Sequence, residues 1–269
     1  MAEDLSWLPE DLDVRHPNAA RVYDYYLGGA HNLEVDRQFA KKVMELAPEV
    51  PSGTRYNRHF LRRSARFLAE TGIRQFIDLG SGIPTVGNVH EVVQAVDSEC
   101  RVVYVDQEWV AVKHAELLLS DQRNVAIAQE DMRDAARVLG STPVNELLDL
   151  SKPVAVLMYA VLHFVADSDN PAGIVAAYRD ATVPGSYLAM SHGTIDHDPD
   201  RLADAAKLYQ QSTTPVYVRT REQVLDFFDG YEVLDPGVVY SPQWRPEDPE
   251  DVPERPELAA IHAAVGRRL

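Results

Sequence analysis

The sequence predicts an α/β fold in which a mostly parallel sheet carries helices on both faces and follows a helical N-terminal extension. Three observations lead there. From Gly72 onward, short apolar runs suited to strands alternate with segments of helical periodicity, the pattern of a parallel sheet. One such run ends in a tight turn: Phe76 to Thr85 reads Phe-Ile-Asp-Leu-Gly-Ser-Gly-Ile-Pro-Thr. Val154 to Tyr159 is apolar throughout, as a central strand covered on both faces must be.

In chain order, Met1 to Val14 is acidic and expected to be loosely ordered unless Trp7 and Leu8 dock. Pro17 to Leu27 reads as a helix with proline near its start, stopped by Gly28-Gly29. Asp36 to Ala47 gives a second helix. Arg58 to Glu70 gives a third, with Leu61, Ala65 and Leu68 inward and Arg58, Arg62, Arg63 and Arg66 on a solvated basic face. Phe76 to Leu79 is the first strand, Asn88 to Val96 a helix, Val102 to Val105 the second strand, Glu108 to Leu119 a helix and Val125 to Ala128 the third strand. The fourth strand, Val154 to Tyr159, belongs beside the first. Asn170-Pro171 caps a helix running to Ala181, and Ser186 to Met190 is the fifth strand. Helices follow from Asp198-Pro199 to Gln210 and from a Thr220/Gln223 capping box to Phe228. Tyr231 to Leu234 and Val238 to Tyr240 are strand pieces, Pro242 to Pro256 is a surface loop, and Ile261 to Arg267 is a strand that closes the sheet. The whole chain, 1–269, reads as one domain, with a helical cap over 1–72 and the α/β core over 73–269.

A formal net charge of -16 disfavours nucleic acid as a partner, because that binding draws on Lys and Arg neutralising phosphates. The single cysteine, Cys100, cannot form an intramolecular disulfide, and the opening Met-Ala-Glu-Asp-Leu-Ser lacks the basic and apolar parts of a signal peptide. A cytoplasmic location is expected. The longest nearly apolar run, Val154 to Ala166, is too short for a bilayer and contains His163, so no membrane association is expected.

Gly80-Ser81-Gly82 lets the backbone fold sharply and approach a ligand closely, since glycine has no Cβ to clash. Asp78 just before it would repel a pyrophosphate and face a cationic or hydroxyl-bearing group, which argues for a nucleoside carrying positive charge. S-adenosyl-L-methionine has that chemistry. Asp106 ends the second strand about where a ribose-binding acid belongs, with Gln107 next to it, and Asp131 with Met132 follows the third strand where an adenine amino group and ring can be met. Tyr26 and Tyr159 are candidates to wall a sulfonium by cation–π contact, or equally to pack. His163 and His192 follow the fourth and fifth strands as candidate general bases, or as satisfied structural histidines. Arg58 is the one basic residue of its helix retained as a substrate or carboxylate contact.

Together these residues resemble class I S-adenosylmethionine-dependent methyltransferases, with the three acids Asp78, Asp106 and Asp131 in chain order. More closely, the chain resembles a family of S-adenosylmethionine methyltransferases first catalogued as a domain of unknown function. The resemblance runs from Pro17 to Arg267. It is carried by Ala20-Arg21-Val22-Tyr23-Asp24-Tyr25 with Gly28-Gly29 and Asn32, by Asp78 to Thr85, and by Val103-Tyr104-Val105-Asp106. Leu162-His163-Phe164, Gly185-Ser186-Tyr187-Leu188 with Ser191-His192, and Pro236-Gly237 with Gln243-Trp244-Arg245-Pro246 complete it. The resemblance implies a Rossmann-like fold with a seven-stranded sheet whose last strand inserts antiparallel. It also implies a cofactor turn at Asp78, Gly80, Ser81 and Gly82, a ribose acid at Asp106 with Gln107, and an adenine site at Asp131 and Met132. Gln107-Glu108-Trp109 departs from the family's tendency to Asn-Asp-Pro, and Pro84 replaces a third glycine.

The function expected is methyl transfer from S-adenosylmethionine to an unidentified small-molecule acceptor. The rivals are a non-catalytic S-adenosylmethionine sensor or scaffold, a nicotinamide oxidoreductase resting on the glycine turn alone, and a metal hydrolase suggested by His192, Asp196, His197 and Asp198. Asp78 and Asp131 speak against the second of these. The last lacks a helical His-Glu-x-x-His spacing, and no metal is expected.

Overall fold

A computed structural model of the chain describes residues 14–84, 87–119, 122–210, 212 and 214–269. Trp7, Leu8 and Thr85 lie outside them. Three helices come first: α1 Ala19–Tyr26, α2 Glu34–Leu46 and α3 Val50–Glu70. The alternating part follows as β1 Gln75–Leu79, α4 Val89–Val96, β2 Arg101–Asp106, α5 Trp109–Leu119 and β3 Val125–Gln129. Then come α6 Ala135–Gly140, α7 Thr142–Leu147, β4 Ala155–Tyr159, α8 Pro171–Ala181 and β5 Tyr187–Gly193. The last part holds α9 Pro199–Tyr209, α10 Arg221–Asp226, β6 Tyr231–Val233, β7 Val239–Tyr240 and β8 Ile261–Arg268.

The strand order is β3-β2-β1-β4-β5-β8-β6, with β1 to β5 parallel. β8 runs antiparallel between β5 and β6, so the C-terminal strand closes the sheet as its apolar pattern predicts. The path has the seven strands that the resemblance implies, and the strand piece expected at Val238 to Tyr240 is the two-residue β7, which pairs with β8 and makes the sheet eight-stranded. Successive residues of a strand point to opposite faces, and both faces here are apolar. Ile77, Val103 and Met158 join α8 and the segment after α10 through Tyr178 and Phe227. Phe76, Val102 and Leu157 join α3 and α4 through Leu68 and Val93. Burial on both sides explains why β4 is apolar without alternation and why β1 is buried at every position, Gln75 and Asp78 included.

Three departures have local causes. α3 begins at Val50, eight residues before the expected Arg58, because Pro51 falls in its first turn, where a missing N–H costs nothing. α6 and α7, one turn or so each, carry too few residues for a periodic signal. The loop from Pro242 to Pro256 contains short 3₁₀ turns and does more than cross the surface. Its Trp244 is fully buried between Phe60 and Phe67 of α3, with edge-on rings. Arg63 donates to the carbonyls of Ser241 (2.7 Å) and Trp244 (3.0 Å), and Arg66 pairs with Glu247. The basic face of α3 is therefore half covered by this loop, and Arg58 is left facing the sheet end.

Trp244→Ala would open a large cavity at this contact. It is expected to destabilise the fold by about 3–5 kcal/mol, read as a lower urea midpoint at unchanged slope.

Candidate functional site

The turn after β1 is built by glycine for two reasons. Gly80 and Gly82 have φ of +67° and +66°, the left-handed region that side chains disfavour, and a Cβ on Gly80 would come within 2.1 Å of Val161. Among the described residues nothing stands within 4 Å of where a Gly82 Cβ would lie. The turn is anchored from β2: Gly80 and Ser81 donate N–H bonds to the Val105 carbonyl, at 2.8 and 3.2 Å. Asp106 accepts Gly82 N–H on Oδ2 and Glu108 N–H on Oδ1, both at 2.8 Å. Burial raises the Asp106 carboxyl above its usual range against the pull of these backbone donors.

These loops open onto a cavity of about 360 Å³ at the carboxyl ends of β1, β2 and β4, where open α/β sheets hold ligands. Asp78 lies on its floor, 5% exposed. Among the described residues no hydrogen-bond donor reaches its carboxylate. Burial pushes its pKa up to about 7, with Arg58 opposing and Asp106 assisting the rise. At the β3 end, Asp131 lies on the cavity and chelates the Arg133 guanidinium through Nε and Nη2. Burial alone would raise the Asp131 carboxyl, but Arg133 holds it below its usual value. Met132 is 8% exposed beside it, its carbonyl fixed by the Tyr178 hydroxyl at 2.8 Å. Gln107 sits at the exposed rim.

The N-terminal helices form the opposite wall. Asn18 caps α1 by accepting Ala20 N–H at 2.9 Å, and Arg21 and Asp36 form a buried ion pair (2.7 Å) that ties α1 to α2. This sets Tyr23 over the cavity. The tyrosine stripe of α1 is thus divided. Tyr23 lines the cavity, whereas Tyr26 turns away, 6% exposed among Val22, Ala40 and Val43, with its hydroxyl 3.2 Å from that of Tyr209. Tyr159 does line the cavity, its hydroxyl held by Ser64 at 2.8 Å and its ring edge-on to Phe60. Asn57 is missed by sequence reasoning, since the expected α3 began one residue after it. It accepts from Ser191 Oγ (2.6 Å) and donates to Tyr23 Oη (2.9 Å), joining β5, α3 and α1.

Both histidines leave the candidate base role. His163 Nδ1 accepts the Gly193 N–H at 3.1 Å, so its one basic nitrogen is already engaged. Burial, then Arg219, pushes its pKa down to about 4. His192 is wholly buried: its Nδ1 must donate to the Gly193 carbonyl (2.8 Å), and its Nε2 accepts from Arg219 (2.9 Å). Burial holds it neutral, far below the usual imidazole range. Neither lines the cavity. The supposed metal cluster is likewise dispersed, since Asp196 pairs with His262, Asp198 with Arg201, and His197 lies near Glu49. Among the described residues no group of three or more His, Cys, Asp or Glu is arranged to hold a metal ion.

A family model described as S-adenosyl methyltransferase matches residues 5–269. The chain belongs to this family. Its cofactor is accordingly S-adenosylmethionine, and it is an S-adenosylmethionine-dependent methyltransferase. A crystal structure of a DUF574 family protein from Streptomyces avermitilis is 36% identical, with a TM-score of 0.92 over 96% of this chain and 99% of that one. A Thermobifida fusca structure is 38% identical, with a TM-score of 0.91 over 97% and 98%. Human N-acetylserotonin methyltransferase, solved with S-adenosylmethionine, is 15% identical with a TM-score of 0.51 over 91% of this chain and 62% of that one, a likeness of fold. No curated protein sequence matches. Among the described residues no helix is long and apolar enough to cross a membrane.

The methyltransferase's imidazoles give a direct check. In a proton–nitrogen correlation series from pH 8 to 5, His163 is expected to keep a neutral, Nε2-protonated signature throughout; its titration near 6.5 would remove the assignment.

Proposed function

We propose that this methyltransferase acts on a small-molecule acceptor and that the cavity below the glycine turn is its cofactor site. The observation that carries the reading is Asp78: a buried carboxylate without a donor, next to Arg58, is complementary to a ligand that brings a cation and an anion together. An amino acid tail does so, its ammonium meeting Asp78 and its carboxylate Arg58. Asp106 keeps lone pairs beyond those taken by Gly82 and Glu108 for ribose hydroxyls. Gly80, Ser81 and Gly82 give the close backbone approach, Asp131 and Met132 meet the adenine, Gln107 borders the ribose, and Tyr159 supplies an aromatic wall.

When bound, S-adenosylmethionine supplies an electrophilic methyl group on a sulfonium centre. The protein's part is to orient an acceptor from the α1 side and exclude water. Tyr23 is placed to orient the acceptor as an aromatic wall, its hydroxyl held by Asn57, from which it accepts, and by the Thr54 carbonyl, to which it donates. His163 and His192 are engaged and, among the described residues, no histidine lines the cavity, which favours a nucleophile that does not depend on an imidazole base. The abundance of acid against Lys and Arg in the chain favours a small acceptor over a polyanion.

Calorimetric titration of S-adenosylmethionine, S-adenosylhomocysteine and NAD tests the site. The first two are expected to bind and NAD not, with Asp106→Ala weakening both by about 10- to 100-fold, as loss of a charged hydrogen-bonding group does. Equal affinity in the variant would sink the ribose assignment.

Asp78 makes a second, signed prediction. Its folded pKa near 7 lies above its unfolded value, so the free protein binds the extra proton between about pH 4 and 7. Stability should fall as pH rises through that window and stay lowered above it, and Asp78→Asn should remove the fall. Affinity for S-adenosylmethionine should move oppositely, rising through pH 7 as the carboxylate ionises, and the rise should be lost in Asp78→Asn.

A further inference from the structure

The stretch between α9 and α10 carries Arg219, 5% exposed, with Nε, Nη1 and Nη2 of its guanidinium all hydrogen-bonded. Nε and Nη2 donate to Asp167 Oδ1 at 3.2 and 2.7 Å. Nη1 donates to the Leu162 carbonyl at 3.3 Å and to His192 Nε2 at 2.9 Å, and Nη2 also reaches the Val165 carbonyl at 2.9 Å. One side chain thus holds two carbonyls and a carboxylate of the loop that follows β4, and ties them to the end of β5. The backbone adds two bonds in the same sense: Tyr217 N–H to the His163 carbonyl (2.7 Å) and Arg219 N–H to the Gly193 carbonyl (3.3 Å).

The two segments joined in this way are adjacent parts of one cavity wall. Phe164, Val165 and Ala166 of the first and Thr214, Pro215 and Tyr217 of the second line the same cavity as Met132. We propose that Arg219 is a positioning residue of the methyltransferase. It sets the loop after β4 in the shape that closes on the cofactor's base, and keys the segment 214–217 to that loop. The inference rests on the cofactor site proposed above. Arg219 lines no part of the cavity itself, so it acts through the loop.

The physical reason for a guanidinium here is its fork. Stability alone does not call for a buried charge, since apolar side chains of like volume commonly serve as well. A planar group with five donors can fix several acceptors at set angles, which neither an ammonium nor an amide can do. Burial keeps His192 neutral, and its Nε2 is thereby free to accept from Arg219. The imidazole is the acceptor that locks the fork to β5, a different duty from proton transfer.

The test uses the full-length protein with Arg219→Gln, Arg219→Lys and Asp167→Ala. The last removes the clamp's outer arm, on a side chain 83% exposed, and leaves the buried bonds in place. Amide exchange without ligand and calorimetry with S-adenosylhomocysteine and adenosine are measured below the unfolding midpoint of each variant. Expected is faster exchange at 162–167 with β1 unchanged, and affinity for both ligands about tenfold or more weaker in either Arg219 variant, as small misplacements of a site are. Lysine should rescue little, and Asp167→Ala should show the same pattern more weakly. Full affinity in a folded Arg219 variant, or in Asp167→Ala should the other two fail to fold, overturns the proposal; so does unchanged exchange at 162–167. If the wild type binds neither ligand, the cofactor site itself is wrong, and the inference falls with it whatever the exchange shows.

Discussion

The carboxylate of Asp106 is the junction on which the site depends. One oxygen holds the turn after β1 and the other holds the turn after β2, so the two loops that frame the cavity share a single group. Gly80 and Gly82 follow from that junction, because the chain must reverse within three residues to bring an N–H back to β2. The packing of Val161 against Gly80 then leaves no room for a side chain on the inner side. The strands contribute direction. Five parallel strands end together, and their carboxyl ends deliver Asp78, Asp106 and the loop after β4 to one place.

The other wall is secured by polar groups as well as by the apolar contact of Val22 and Tyr26 with Ala40 and Val43. The Arg21–Asp36 pair is almost wholly excluded from water, and each partner is costly to bury without the other, so the pair specifies how α1 lies on α2. From α1 the connection continues from Tyr23 to Asn57 and on to Ser191, whose Oγ accepts the N–H of Ala160 at 2.9 Å. Ala160 has a φ of +51°, a conformation a non-glycine residue adopts at a cost, and it lines the cavity at the end of β4. The cost is offset by a hydrogen-bonded chain that runs across three elements.

Histidine illustrates how residue type and residue duty separate. His163 and His192 stand at strand ends in the sequence, where catalytic groups are found, and both are consumed by backbone and guanidinium partners. The partner of His192 is 27 residues away in sequence, and no local pattern announces it. Tyr23 and Tyr26 carry the same lesson within one helix. Three residues apart, they lie near one another by helical spacing, but the α2 and α9 side chains claim Tyr26 and leave Tyr23 to the cavity.

The sequence by itself determined the sheet and the turn. Apolar runs of strand length, glycines at a reversal, and acids at strand ends are local features, and the physics that reads them acts over a few residues. It also placed Asp78, Asp106, Asp131 and Met132 on one sheet edge, because parallel topology sends strand ends to one side. Only the tertiary structure decided which of the polar side chains face the cavity with a free valence. Asn57 and Arg219 had no signal, the two histidines had a misleading one, and Trp244 lay in a stretch whose prolines and acids concealed a core residue. Hydrogen-bond partnership and burial are settled between elements distant in sequence. A short pattern can name the residue, but the packing around it assigns the work.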